Sequence, residues 1–217
     1  MFANEFVRFF LVEIAAIERT MCHRHAHDYL MYVMGDAEIV SAPRDGEPKT
    51  HAYHDGDCEV SPAGLVHVVE NLRETKFRNL LVELLPGLGE LRRGSDPRIA
   101  AGDGVVEAIF EEKRISVWSV ETKPGMDVEA CGPAIAAFLF EEPILPKHPS
   151  DITDKAANIR DLTWIQSDRA LLGGFPLDVA TRAIVFQLGC TEKQLAAVQK
   201  RADEPLKSLR THARQPE

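Results

Sequence analysis

Three histidines carry most of the chemistry this chain could perform. His23 and His25 stand two apart in the run His23-Arg24-His25-Ala26-His27-Asp28-Tyr29, and His67 lies within the stretch from Gly56 to Asn71. Imidazole is a common ligand for zinc and for several first-row transition metals, so three of them brought together would make an ion site with open positions. In a strand, residues i and i+2 share a face, so His23 and His25 project together, and Tyr29 has their parity if the strand continues. Two imidazoles on an inward face cost free energy unless something binds them. Downstream, Pro62-Ala63-Gly64 reads as a tight turn in which Gly64 supplies the backbone angles. That turn returns His67 to the interior, opposite the first pair.

Each of these residues also has an ordinary reading. His23 and His25 can be an exposed polar pair on an edge strand, His67 a core histidine bonded to backbone, and Tyr29 an aromatic lining a barrel. His27 reads as a solvated loop residue, and His51 and His54, beside the Asp55-Gly56 turn, read as surface histidines. Cys22 and Cys58 read as cysteines behaving like small apolar groups. Pro62, Gly64 and Asn71 read as structural.

The elements that must position these groups are short strands. Alternating or β-branched runs cover Phe6 to Ile17, Tyr29 to Val40, His51 to Val60, His67 to Asn71 and Phe77 to Leu85. Turn signals at Pro43-Arg44-Asp45-Gly46, His54-Asp55-Gly56 and Pro62-Ala63-Gly64 separate them. Many short strands at this pitch predict an antiparallel sandwich or barrel. Breakers and polar residues then dominate from Pro86 to Gly104, as in a linker. Beyond it the first half recurs at an offset of about 105 residues. Val117 to Glu121 resembles the opening strand, Ala136 to Phe140 echoes Leu30 to Met34, and Ile184 to Leu188 echoes Leu80 to Leu84. The pattern predicts a first unit at 1–86, a linker at 87–110, a second unit at 111–190 and a C-terminal segment at 191–217. Within that last segment Thr191 to Ala202 predicts a short helix capped by Thr191.

Charge and cysteine usage exclude several classes. The net charge of −9 is spread along the chain, and a modest basic excess appears only from Lys193 to Arg214, so a phosphate-backbone binder is not expected. Glu5, Arg8 and Glu13 interrupt the apolar start, which reads as a strand and not as a signal peptide or membrane span. Cys22, Cys58, Cys131 and Cys190 lie far apart with no C-x-x-C spacing, so neither a zinc ribbon nor a disulfide framework is indicated, and a reduced, cytoplasmic protein is the expectation.

Residues 56–71 spell G-x5-P-x-G-x2-H-x3-N, from Gly56 through Pro62, Gly64 and His67 to Asn71. This resembles the second signature motif of the cupin superfamily in full. The first, G-x5-H-x-H-x3,4-E-x6-G, is matched in part by His23, His25 and Gly35, with Tyr29 at the glutamate position and Ile17 at the leading glycine. The match covers roughly residues 6 to 86. The resemblance implies an all-β chain of two tandem cupin-type jelly-roll barrels, that is double-stranded β-helices, with a short C-terminal helix. It implies one divalent metal held by His23, His25 and His67, with Tyr29 as a phenolate ligand or as a group bonded to a metal-bound water and the candidate proton donor. Asp28 and His27 are the neighbouring alternatives to Tyr29. Zinc, iron, nickel, manganese and copper all suit three imidazoles. The implied function is a metal-dependent enzyme, such as a dioxygenase or other oxygenase, an isomerase or a lyase, acting on a small organic molecule; the alternative is a non-catalytic small-molecule or metal-sensing module. A homodimer is implied as well. In the second unit the equivalents of His23, His25 and His67 fall near Val128 or Glu129, near Ala130 or Cys131, and near Leu171, and the only later histidines are His148 and His212, so no second metal is expected.

Overall fold

The computed structural model describes residues 2–4, 6–86, 99–100, 105–112, 114–122, 129–130, 134–141, 157–165 and 181–188. All its regular elements among these residues are strands, and no helix among them is long and apolar enough to cross a membrane. The C-terminal helix expected over Thr191 to Ala202 lies outside the described residues. Contacts divide the chain into two units, one built on the strands before residue 87 and one on the strands after it.

The first unit contains β1 (Phe2–Ala3), β2 (Val7–Ile14), β3 (His23–Arg24), β4 (Asp28–Val33), β5 (Ala37–Pro43), β6 (Lys49–Tyr53), β7 (Cys58–Ser61), β8 (Val66–Asn71) and β9 (Phe77–Leu84). They form two antiparallel sheets, a five-stranded one in the order β1-β2-β9-β4-β7 and a four-stranded one in the order β3-β8-β5-β6. From β2 to β5 successive strands alternate between the sheets, and β7, β8 and β9 alternate again, which is jelly-roll connectivity. Two expected runs are each divided. Gly35, at a φ of 82°, breaks the run from Tyr29 to Val40 into β4 and β5 on opposite sheets. The His54-Asp55-Gly56 turn likewise separates β6 from β7.

Strand β9 is buried on both faces, which explains why Leu80 to Leu84 reads as an unbroken apolar run with one glutamate and not as an alternation. Val7, Phe9, Leu30, Tyr32, Leu80 and Val82 are fully buried on the face turned away from the smaller sheet. On the inner side Ile14, Val33, Ala37, Ile39, Val69 and Phe77 make one apolar cluster that joins the two sheets. Burying side chains of this size contributes about 1.5–3 kcal/mol each.

The second unit contains β10 (Ile99–Ala100), β11 (Val106–Glu111), β12 (Ile115–Thr122), β13 (Glu129–Ala130), β14 (Ala134–Glu141), β15 (Ala157–Ile165) and β16 (Thr181–Leu188). Strand β10 and all but the last residue of β11 fall within the stretch expected as a linker. Its five-stranded sheet runs β11-β12-β16-β14-β15. Taken strand for strand, this neighbour pattern is the one of β1-β2-β9-β4-β7. The three sequence echoes fall on β12, β14 and β16, the counterparts of β2, β4 and β9.

Candidate metal centre

The inward face of the larger sheet is layered by its register. Arg8, Glu83, Tyr29 and Ser61 share one rung; Phe10, Leu81, Met31 and Glu59 share the next; Val12, Asn79 and Val33 share a third; Ile14 and Phe77 close the far end. A polar end thus grades into an apolar floor. The smaller sheet faces it with Ser41, Ile39, His67 and Val69, and a cavity of about 480 Å³ lies between.

His23, His25 and His67 meet at the polar end. Their candidate ligand nitrogens all lie within 4.8 Å of one another, and the group can hold a metal ion. Its geometry differs from the sequence expectation in two respects. His67 is not across from the first pair: it is the register partner of His23 on the adjacent strand, with ring centroids 4.7 Å apart. Nor does a single strand run from His23 to Tyr29. The chain leaves the smaller sheet after Arg24 and enters the larger one at Asp28, so Tyr29 reaches the histidines from the opposing sheet, its ring stacked on His25 at 4.1 Å.

His25 sits in that crossing, and the second motif holds it there. Its N–H donates to Leu65 O at 2.9 Å, and its carbonyl accepts from Gly64 N at 2.8 Å. Gly64 has a φ of 94°, a conformation that glycine takes at little cost. Asp28 Oδ1 accepts from Ala63 N at 2.7 Å, so this alternative fourth ligand braces the same turn. Neither Asp28 nor His27 lines the cavity. Asn71 ties the loops together: its Nδ2 donates to the carbonyls of Ile14, Ala15 and Thr75 at 3.3, 3.0 and 2.7 Å, and its Oδ1 accepts from Arg73 N at 3.1 Å.

The ring nitrogens have partners suited to a metal. His23 Nδ1 lies 2.9 Å from Met21 O; a carbonyl only accepts, so the proton is on Nδ1 and Nε2 keeps its lone pair. His67 Nδ1 lies 2.9 Å from Ser41 Oγ, a hydroxyl oxygen able to accept a hydrogen bond from Nδ1–H and so leave the lone pair on Nε2. His25 Nε2 and His67 Nε2 are 3.1 Å apart. Two nitrogens about 2.1 Å from a common ion, at roughly 90–110°, stand about 3.0–3.4 Å apart, so the spacing fits. Burial, followed by the charges of His23 and His67, pulls the His25 pKa from 6.5 down to about 4. Burial, then His23, brings His67 to about 4 as well. Both rings are therefore neutral at pH 7, the form that binds metal.

Several cavity residues escaped the sequence reading. Glu59 and Tyr53 form a 2.5 Å hydrogen bond, with the phenol donating to Oε2. Burial and the bonded Glu59 raise the Tyr53 pKa well above the ordinary phenol range. Tyr29 is raised too, chiefly by burial and also by Glu59, against a lowering hydrogen bond to Ser61. His51, expected at the surface, is half-buried, lines the cavity and stacks on Tyr53 at 5.7 Å. Alternation along β7 puts Glu59 and Ser61 on one face, but only the cross-strand register shows that this face is the inward one.

No protein-family model matches the chain, and no curated protein matches it. Solved structures do. A cupin domain from Bordetella pertussis Tohama I is 25% identical over 38% of this chain and 85% of its own, with a TM-score of 0.37. A cupin superfamily protein from Desulfitobacterium hafniense DCB-2 is 19% identical over 39% of this chain and 72% of its own, with a TM-score of 0.32. These cupin-domain structures align with the N-terminal part of the chain. AerE from Microcystis aeruginosa is 11% identical over 85% of this chain and 88% of its own, with a TM-score of 0.54, a likeness of fold along most of the chain.

Proposed function

We propose that the chain is a metal-binding cupin in which His23, His25 and His67 hold one divalent ion, and that it is an enzyme acting on a small organic molecule. The observation that carries this is the convergence of three imidazoles, two of them kept neutral by burial, at the polar end of a cavity. Held there, the ion would supply the Lewis acidity or dioxygen binding that oxygenase, isomerase or lyase chemistry uses.

The chain's own residues supply the rest. Met21 and Ser41 orient His23 and His67, and the apolar floor excludes water from a bound molecule. Of the two roles open to Tyr29, its raised pKa favours the protonated phenol over a phenolate ligand, which makes it the candidate proton donor. The tandem arrangement belongs to the same proposal: the repeated neighbour pattern supports reading the second unit as a degenerate cupin barrel.

One observation favours a second reading. Among the described residues no carboxylate joins the three histidines, so the ion's charge is left uncompensated, which suits a non-catalytic binding or sensing module. Metal content of protein purified without added metal, compared with His25→Ala, tests the site; equal and negligible metal in both removes it. Turnover then separates the readings. With a converted substrate, Tyr29→Phe should lower kcat about 10²-fold or more if Tyr29 transfers a proton. A tight ligand left unconverted by protein loaded with iron, manganese, nickel or zinc leaves the binding module.

A further inference from the structure

Glu59 brings into the cavity a carboxylate that the three histidines do not use. It stands on β7 beside Met31 of β4, whose side chain packs on the inner apolar cluster, and Tyr53 of β6, packed on the same cluster, donates to its Oε2 at 2.5 Å. Glu59 therefore points inward, and the bond fixes its orientation. That bond also ties β6 to β7, the edge strands of the two sheets, a structural role that occupies one oxygen and needs no charge. Oε1 has no partner among the described residues, yet it keeps accessible surface on a residue that lines the cavity. The ion pairs among the described residues leave Glu59 out. Glu83, the other carboxylate on the wall, is paired with Arg8 at 3.2 Å, and Arg24, the only lysine or arginine among the residues lining the cavity, is exposed. A half-buried carboxylate without a counter-charge costs free energy that a bound cation recovers.

We infer that Glu59 is the subsite for a primary ammonium group, and that the cavity takes an amine carried on a flat apolar body. The inference deepens the function proposed above and rests on it only for the choice of cavity. An ammonium presents three donors, and its hydrogen bonds to a carboxylate are about twice as strong as neutral ones. Two acceptors stand side by side to receive them: Oε1, and the Tyr53 hydroxyl oxygen, whose own hydrogen is engaged by Oε2. Burial and the bonded Glu59 keep that phenol protonated, so the pair persists at pH 7. An anion would meet like charge, and an alcohol offers one hydrogen but leaves the carboxylate uncompensated. Along the rung from Glu59 the inward side chains are Met31, Leu81 and Phe10, on successive strands. At about 4.8 Å per strand they form an apolar strip reaching roughly 14 Å from Glu59. A fused two-ring system laid on that strip keeps its amine at the carboxylate end.

The test titrates the full chain, purified without added metal, calorimetrically with 2-naphthylmethylamine, 2-naphthylmethanol and 2-naphthoate, which share a ring system and differ in charge. The amine should bind about tenfold or more tighter than the alcohol, and naphthoate more weakly than the alcohol. Glu59→Gln keeps the shape and removes the charge; it should bring the amine to within about threefold of the alcohol and leave the alcohol's own affinity within about threefold of its wild-type value. Glu38→Gln removes the same charge from an exposed position on β5 and should change neither, which separates the subsite from the general attraction of a chain of net charge −9. The wild-type ranking needs no variant, so it decides the inference even if Glu59→Gln does not fold. An amine no tighter than the alcohol, no amine binding at millimolar concentration, an amine preference that survives Glu59→Gln, or an equal loss in Glu38→Gln overturns the inference. Zinc uptake by the same preparation separates the two proposals. Zinc bound with no preference for the amine overturns this inference alone, and an amine preference in protein that takes up no zinc overturns the metal site alone.

Discussion

Ile17 stands where the cupin motif has its leading glycine, and its φ of 57° is the left-handed conformation that a glycine would take at no steric cost. For a β-branched residue this costs roughly 1–2 kcal/mol, while glycine's extra chain entropy costs about 0.5–1 kcal/mol. The side chain is 60% exposed and contributes little burial, and the Ile17 N–H to Arg73 O bond survives substitution. Ile17→Gly is therefore expected to stabilise the protein by about 0.5–1 kcal/mol, read as a higher urea midpoint; a lower midpoint would contradict the strain argument. The buried imidazoles give a second residue-scale expectation. In the unfolded chain His25 and His67 titrate near 6.5, but in the metal-free fold near 4, so below 6.5 the unfolded state binds more protons. Stability of the chelator-treated protein should be full above pH 6.5, fall as the pH drops towards about 4, and lose no more from these two groups below that. Urea midpoints across this window, compared with a His25→Asn, His67→Asn double variant, isolate the effect from the carboxylates. Parallel profiles for the two proteins would sink it.

Among the elements, the turn from Pro62 to Gly64 does more than reverse the chain. It clamps the backbone of His25 through Leu65 and Gly64 and is braced by Asp28, so the two motifs make one unit although about 40 residues separate them. A Cβ on Gly64 would meet no atom within 4 Å, so Gly64→Ala tests backbone strain without a clash. We expect it to cost about 1–3 kcal/mol in the metal-free protein and to weaken zinc binding further by shifting His25. Unchanged zinc affinity in a destabilised protein would show that the clamp does not set the histidine's position. This coupling also explains what the sequence could disclose. Motif spacing identified His23, His25 and His67, the structural roles of Gly64 and Asn71, and the strand from Phe77 onward, because turn chemistry and imidazole ligation are local properties of residue type. It misplaced His67 relative to His23, because adjacency depends on which strands pair, and β3 is too short for its pairing with β8 to leave a periodic trace. Glu59, Tyr53 and Asn79 were silent for the same reason: each looks like an ordinary strand residue until register shows which face turns inward. The sequence echoes fall on β12, β14 and β16, which keep the apolar character of β2, β4 and β9, yet the like neighbour order of the two five-stranded sheets emerges only from the pairing.

At the scale of the whole molecule, one site in a chain with two similar sheets makes a stoichiometric claim. Its three candidate ligands are His23, His25 and His67, and the only histidines in the second half of the sequence are His148 and His212. Elemental analysis of zinc-saturated protein after gel filtration should give one ion per chain, and His25→Ala should bring it close to zero. Two ions per chain, or one that survives the substitution, would place a site elsewhere. Because the unfolded chain does not hold the three imidazoles together, each ion bound to the native state adds to the unfolding free energy by RT ln(1 + [metal]/Kd), about 2.7 kcal/mol at a hundredfold excess over Kd. Tm should therefore climb with free zinc in the wild type and stay flat in His25→Ala. With two histidines the second half of the sequence cannot supply three imidazoles, so if the second unit unfolds separately from the first, calorimetry should resolve one transition that moves with metal and one that does not. If the units unfold together, the single transition should move as a whole. Either result is compatible with one site, whereas two transitions that both move with zinc would require a second.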